Sequence, residues 1–410
     1  MKKDKKNINE NKFISYDNLD KIGEIPLYYG FTPYQSPEIK KIDLDNSKNL
    51  LDGDFIDNPE NEKTYLSLHV EEKIALLRKY SEENMQSFSQ PVMMYFKEPF
   101  KGSLKNSSNT CARYCDLEIL CNSKSIAEAT LIQSARAILL EEGYENTFIE
   151  INSIGDKDSI NRFTRDLTNY YRKNINEIHA ECRQLLKKDP FELLSCQNEK
   201  CIKINSEAPK SMDFLSEPSR KHFQEVLEYL EALEIPYKIN NNLIGNRKYC
   251  TETIFLVSNS DDDKKNKKQK ILAIGTRYDG LSKKIGIKKE IQGVGISLLI
   301  KGNKPDLRKE VKKVKKPFAS FVQLGFESKL LSLSIIERLR QVKIPLFLSL
   351  SKDRLGAQVS MLERQKIPYS IIMGKKEAVE KTAIVRNTDT HAQEIVSLDE
   401  LCKYIKKLEK

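Results

Sequence analysis

The chain reads as an α/β (α+β) protein: a strand-containing core broken by a helical insertion, followed by a C-terminal α/β domain. Three observations predict this. Short apolar runs typical of strands lie on both sides of a stretch, Asp156 to Ile235, whose apolar residues recur at helical spacing. After Pro317, strand and helix patterns alternate over about 90 residues with short connections, as in a compact α/β unit. A length of 410 residues also exceeds what one hydrophobic core usually supports.

The first twelve residues are rich in Lys and Asn and cannot bury enough surface to offset the entropy of ordering, so residues 1–14 are expected to be a disordered tail. Between Ile25 and Glu38, Gly30 ends a helix and Pro33 and Pro37 force extended backbone before them, giving helix, turn and strand. Val70 to Tyr80 has the spacing of a short helix, and Ser125 to Glu142 that of a longer one running into Gly143. Strands are expected at Pro91 to Phe96, Leu117 to Leu120 and Phe148 to Ile151. In the insertion, set at 159–235, Phe223, Val226, Leu227, Leu230 and Leu233 share one helical face, with Ser216 and Pro218 as the start signal. Strands resume at Thr251 to Val257 and Lys270 to Thr276, with a solvated hairpin loop over Asp261 to Lys268. The core thus spans 15–158 and 236–302, a basic linker 303–317, and the last domain 318–410. Within that domain Phe318 to Gln323 reads as strand, Lys329 to Gln341 as helix, Ile344 to Leu350 as strand and Asp353 to Gln365 as helix. Strands at Tyr369 to Met373 and Thr382 to Arg386 follow, then a last helix carrying Leu401, Ile405 and Leu408.

Lys and Arg number 69 against 59 Asp and Glu, a net charge of +10. Eight basic residues against two acidic ones fall between Lys301 and Lys316, so six of the ten surplus charges sit in one segment (8 − 2 = 6). That segment reads either as a solvated connector or as a strip facing phosphates, with Lys309, Lys312, Lys313, Lys315 and Lys316 as RNA contacts. No apolar run approaches a membrane span and no leader pattern opens the chain, so a cytoplasmic protein with no membrane partner is expected. Eight cysteines are far too sparse for a disulfide scaffold. Cys111, Cys115 and Cys121, or Cys196 and Cys201, have a spacing that could hold a metal, but none of the four histidines (His69, His179, His222, His391) lies close to either group. Inert thiols and no metal are expected.

Several phrases together resemble the class II histidyl-tRNA synthetases. Tyr29-Gly30-Phe31-Thr32-Pro33 through Pro37-Glu38 is similar to the family's motif 1, the helix and strand of its dimer interface. Asn152-Ser153-Ile154-Gly155-Asp156 matches the phrase that follows its motif 2 region. Gly275-Thr276-Arg277-Tyr278-Asp279-Gly280-Leu281 is close to its second histidine-binding signature. Ile371 to Glu377, Ile384 to Asn387, and Gln393 follow the order and spacing of its anticodon-binding module. The resemblance runs from about Ser15 to Leu408. It implies a class II synthetase-like antiparallel-sheet core, a C-terminal α/β anticodon-binding-like domain, a tRNA or other structured RNA as partner, and a homodimer through the motif 1 region.

Fold does not decide chemistry, and the catalytic positions depart from the family pattern. Activation brings a carboxylate to the α-phosphate of ATP, so cations must stand where charge develops. The motif 2 arginine falls at Phe100 or Lys101, and a lysine cannot make a bidentate fork. The motif 3 arginine falls at Gly302. In Leu243-Ile244-Gly245-Asn246-Arg247-Lys248-Tyr249-Cys250, aligned with the first histidine signature, Gly245 replaces the arginine and Lys248 reverses an aspartate's charge. Arg247, if in a strand, would share the face of Gly245 and could rescue it in part. The substrate phrase becomes His69-Val70-Glu71-Glu72-Lys73, with Lys73 in place of a threonine. Glu71, Tyr249, Arg277, Tyr278 and Asp279 remain of a histidine pocket. Losing two such arginines at about 3 kcal/mol each costs about four orders of magnitude in rate after allowing for non-additivity.

The resemblance therefore implies a protein that binds RNA or acts as a regulator, with no catalytic residues and no cofactor. One alternative is an active histidine–tRNA ligase using ATP and Mg2+ through an atypical site. The other is a histidine-sensing regulatory subunit of the ATP phosphoribosyltransferase type. Stacking on Phe318 or Phe347 would assist RNA binding, and core packing is the competing role for both rings.

Overall fold

A computed structural model of the chain describes residues 13–15, 19–50, 69–88, 90–97, 100, 113–194, 196, 198–259, 270–300, 313–348, 350, 356, 358 and 366–409. Strand β1 (Phe13–Ser15) opens the described chain. Helix α1 (Lys21–Tyr28) is capped by Asp20, whose carboxylate accepts from the Gly23 amide at 2.8 Å. Gly30 takes the left-handed backbone conformation, φ 87°, that lets the chain turn into β2 (Thr32–Pro33). Helices α2 (Lys41–Lys48) and α3 (Val70–Glu82) follow, then β3 (Val92–Phe96), β4 (Arg113–Leu120), α4 (Ile126–Glu141) and β5 (Thr147–Gly155).

The insertion comprises α5 (Lys157–Lys173), α6 (Arg183–Lys188), α7 (Pro190–Leu194), α8 (Glu199–Ser206) and α9 (Glu217–Ala232). Its ends are tied by one carboxylate. Asp156 caps α5 by accepting from the Ser159 amide at 2.9 Å and also accepts from the hydroxyl of Ser216, the cap of α9, at 2.7 Å. Phe163, Leu167 and Tyr171, at four-residue steps on α5, form a small separate core with Ile178, Phe191, Leu193, Cys201 and Ile204.

The chain then completes the main sheet with β6 (Tyr237–Ile239), β7 (Thr251–Asn259), β8 (Lys270–Arg277) and, after α10 (Leu281–Lys284), β9 (Gly293–Ile300). The eight strands lie in the order β2-β3-β4-β9-β8-β7-β5-β6. All neighbours are antiparallel except the edge pairs β2 with β3 and β5 with β6. α4 lies across one face of this sheet, with α1 and α9 beside it. It is apolar or small around most of its circumference because it is covered on most sides, with Ile126 through Gln133 all buried. On the opposite face α3 packs with β3, Tyr249 and Tyr278 into a second cluster.

Strand β10 (Lys313–Lys315) leads into β11 (Ala319–Gln323), α11 (Phe326–Gln341), β12 (Leu346–Leu348), β13 (Tyr369–Met373), α12 (Lys375–Glu380), β14 (Thr382–Asn387), β15 (Gln393–Ser397) and α13 (Leu398–Leu408). Their sheet order is β12-β11-β13-β14-β15, parallel at the first two pairings and antiparallel at the last two. This domain docks on the helix-covered face of the core. The Tyr29 hydroxyl donates to Glu337 on α11, Gln133 donates to the Leu333 carbonyl at 3.0 Å, and the Tyr229 and Phe326 rings meet edge to face at 5.4 Å.

Two expected boundaries change. β1 pairs antiparallel with β10, so Phe13 and Ile14 are not part of a disordered tail, and Lys313 to Lys315 are not part of a linker. The reason is Val314, buried against Leu19 and Leu27, which gives this short two-stranded ribbon an apolar anchor between two exposed lysines. The expected loop over Asp261 to Lys268 and most of the helix over Asp353 to Gln365 lie outside the described residues.

Candidate functional site

The first turn of α3 buries three consecutive charged residues, Glu71, Glu72 and Lys73. The two glutamates sit where a helix N-terminus favours negative charge, and the Glu71 carboxylate lies 3.0 Å from His69 Nδ1. Lys73 is the unusual member. Its ammonium makes a buried ion pair with Glu118 on β4, and it lies 5.9 Å from the centroid of the Tyr278 ring. The Tyr278 hydroxyl donates to the other oxygen of Glu118 at 2.7 Å. Burial raises the pKa of Glu118, and Lys73 and Tyr278 offset that only in part.

Two glycines of β9 make the room. Gly295 stands opposite Glu118 in register, and a Cβ there would collide with the carboxylate. A Cβ on Gly293 would strike the Tyr278 ring. Gly293 and Gly295 therefore serve close approach of side chains. Tyr249 packs in the same cluster as Tyr278 and faces the charge of Glu71. Glu71, Tyr249 and Tyr278 thus gather on this face of the sheet, and Lys73 and Glu118 join them.

Arg277 does not. As the neighbour of Tyr278 at the end of β8 it faces the other side of the sheet. It is fully buried, and its Nε and Nη2 both bond Glu128 of α4 at 2.7 Å, while Nη1 donates to the Asn122 carbonyl at 2.7 Å. Glu128 also accepts from Thr253 at 2.9 Å and lies 2.8 Å from His222 Nε2 on α9. Burial pushes the Glu128 pKa up, but Arg277 and His222 overcome this and hold it well below the usual carboxylate range. Arg277 fastens α4 to the sheet, and Glu128 extends the link to α9 through His222. Asp279 accepts from the Gly293 amide at 2.9 Å and starts a turn in which Gly280 has φ 82°.

Residues 240–250 form turns rather than a strand, so Arg247 does not share a strand face with Gly245 as expected. It ion-pairs with Asp189 and stacks over Phe191 with its guanidinium carbon 4.0 Å from the ring centroid. The side chain is committed to the insertion. At Gly245 a Cβ would lie 2.8 Å from Cys250 Sγ, so an arginine there would require repacking. Lys101, Gly302, Lys309 and Lys312 lie outside the described residues. Lys313, Lys315 and Lys316 are exposed, and Lys315 pairs with Glu409 at 2.9 Å. Phe318 packs on Tyr369 with ring centroids 4.9 Å apart, and Phe347 packs beside Val322 and Ile367, so both rings serve the core.

Glu118 carries no sequence signal of its own, since an acidic residue in an alternating strand reads as solvent-facing. Lys73 does carry one. It stands three residues after Val70, just before Ile74 and four before Leu77, on the apolar face of α3.

The C-terminal residues 322–408 match the anticodon binding domain family. A histidine–tRNA ligase of Listeria monocytogenes is 27% identical over 340 residues, covering 81% of this chain and 79% of that protein. One from Caldanaerobacter subterraneus is 23% identical over 393 residues and covers 93% of both. Among solved structures, apo histidyl-tRNA synthetase of S. aureus superposes with a TM-score of 0.51 at 21% identity, covering 94% of each chain. Sheet, insertion and C-terminal domain together define a class II synthetase-like fold. Within that class the anticodon binding domain and the ligase relatives together support a histidyl-tRNA synthetase-like family for this chain.

Proposed function

We propose that this protein does not form histidyl-adenylate and acts instead as an RNA-binding or regulatory dimer, with tRNA or another structured RNA as partner and no ATP or Mg2+ requirement. The observation that carries this reading is Lys73. Its ammonium takes the hydrogen-bonding capacity of Glu118 beside Tyr278, the residues that a small polar ligand entering this pocket would need. A ligand must first displace a buried ion pair, and breaking one costs about 3–5 kcal/mol. At about 1.4 kcal/mol per tenfold, that cost lowers histidine affinity by about two to four orders of magnitude. Gly245 supplies no cation, and Arg247 is held by Asp189 and Phe191.

The anticodon binding domain and the exposed Lys313, Lys315 and Lys316 next to it support RNA as the partner. The second reading, an active ligase with an atypical site, draws on alignment with 93% of a Caldanaerobacter enzyme. Calorimetric titration with histidine separates the two. No saturable heat in the millimolar range is expected, and stoichiometric binding at micromolar histidine refutes the filled pocket. Dimerisation through the motif 1 region is tested by sedimentation equilibrium.

A further inference from the structure

Cys182, Cys196 and Cys201 converge in the insertion, although the sequence pairs only the last two. Their sulfurs all lie within 4.8 Å of one another, with Cys182 Sγ and Cys196 Sγ 3.4 Å apart. In a tetrahedral zinc–thiolate centre with bonds of about 2.3 Å, neighbouring sulfurs stand about 3.8 Å apart. The Cys182–Cys196 separation lies about 0.4 Å below that value, and the other two are bounded at 4.8 Å. Two sulfurs also accept backbone N–H groups, Cys196 from Asn198 and Cys201 from His179, and such donors orient and stabilise metal-bound thiolates. His179 therefore lies against the cluster through its own amide. Its carbonyl accepts from the Cys182 amide at 2.9 Å, and its Nδ1 is buried with no hydrogen-bond partner among the described residues; the ring nitrogens stand outside the 4.8 Å cluster of sulfurs, so ligation requires the side chain to turn inward.

We propose that Cys182, Cys196 and Cys201, with His179 as fourth ligand, bind one zinc ion that fastens the helical insertion. His179-x2-Cys182 and Cys196-x4-Cys201 are two local ligand pairs of the spacing zinc favours. Each belongs to a different short element. Cys182 caps α6, a helix of 6 residues; Cys196 follows α7, of 5; and Cys201 lies in α8, of 8. Helices this short are not stable by themselves, and the apolar core beneath them is small, a situation in which a metal clip commonly supplies the missing stability. Three soft thiolates and an imidazole suit zinc over magnesium or calcium, which take oxygen donors. The role is structural, because four protein ligands leave no open position for a substrate.

The test uses the full chain, purified from zinc-replete cells without chelator. Elemental analysis is expected to give one zinc per chain. Cobalt added to the metal-free chain is expected to produce a thiolate-to-cobalt charge-transfer band that saturates at one equivalent. Removing the metal should raise hydrogen exchange in residues 183–206 and leave β4, β8 and β9 unchanged. His179→Ala should retain the charge-transfer band, weaken binding by at least about tenfold and alter the d–d envelope. Cys182→Ser with Cys201→Ser should abolish binding; because that variant could unfold the insertion, the cobalt titration of the wild-type chain is the deciding measurement. A metal-free chain with no cobalt–thiolate band overturns the proposal. So does a Cys182–Cys196 disulfide in the freshly purified protein, or zinc content unchanged when all three cysteines are serine. An unaltered d–d envelope in His179→Ala overturns the assignment of the fourth ligand.

Discussion

Lys73 and Arg277 are both buried cations, yet they bear differently on function. Lys73 fills the pocket face of the sheet and Arg277 locks the helix face. Lys73→Ala leaves Glu118 buried without its partner and should destabilise the fold by about 3–5 kcal/mol in urea unfolding. Lys73→Met combined with Glu118→Leu should recover most of that loss, since a well-packed apolar pair avoids both desolvation costs. Additive losses would mean the two residues do not interact. Arg277→Ala breaks the network around Glu128 and should lower stability to a similar extent, so it is a poor probe of chemistry. Tyr278→Phe, which removes one hydroxyl, is the better one.

His222 gives the same network a pH dependence. Burial lowers its pKa, but Glu128 raises it more, so the folded value lies above the ordinary histidine value of 6.5. A raised histidine pKa contributes stability that is fully present below about 6.5 and is lost as pH rises through the folded value. The depressed Glu128 value contributes stability above about 4.5 that is lost as pH falls through its folded value. The stability difference between wild type and His222→Gln should therefore be largest between these limits and shrink above neutrality. A difference independent of pH from 5 to 9 would show that His222 stays neutral.

At the scale of elements, the loop of residues 240–250 is held by the insertion through Arg247. Arg247→Ala should speed hydrogen exchange in that loop and in α7 together, because one side chain links them. Faster exchange in only one would separate the two elements. Most elements were legible from sequence because their apolar periodicity matches one buried face: α9, β7, β8 and α11 all fall close to expectation. β9 was not, because Gly293 and Gly295 supply no side chain to the strand pattern and instead leave space for Glu118 and Tyr278. β10 was hidden by flanking lysines, and its single buried residue, Val314, gives almost no periodic signal. The pocket was half legible. Phrases placed Glu71, Tyr249 and Tyr278 together, but a phrase cannot reveal that strand alternation turns Arg277 to the opposite face. Nor does spacing reveal that Cys182 meets Cys196, since that contact depends on how α6 and α7 pack.

For the whole molecule, the surplus positive charge stands beside a domain matched to anticodon binding, and the candidate pocket holds its cation internally. If the basic segment contacts RNA backbone, each phosphate contact contributes about 0.7–0.9 to the slope of log affinity against log salt. Neutralising Lys312, Lys313, Lys315 and Lys316 together should lower the slope for tRNA by up to about 3. An unchanged slope would direct attention to a protein partner. The most direct measurement of a silent pocket is histidine-dependent ATP–pyrophosphate exchange by the full chain with Mg2+. Exchange no faster than without histidine is predicted. Histidine-dependent exchange that Tyr278→Phe diminishes would contradict it and make the protein a working ligase.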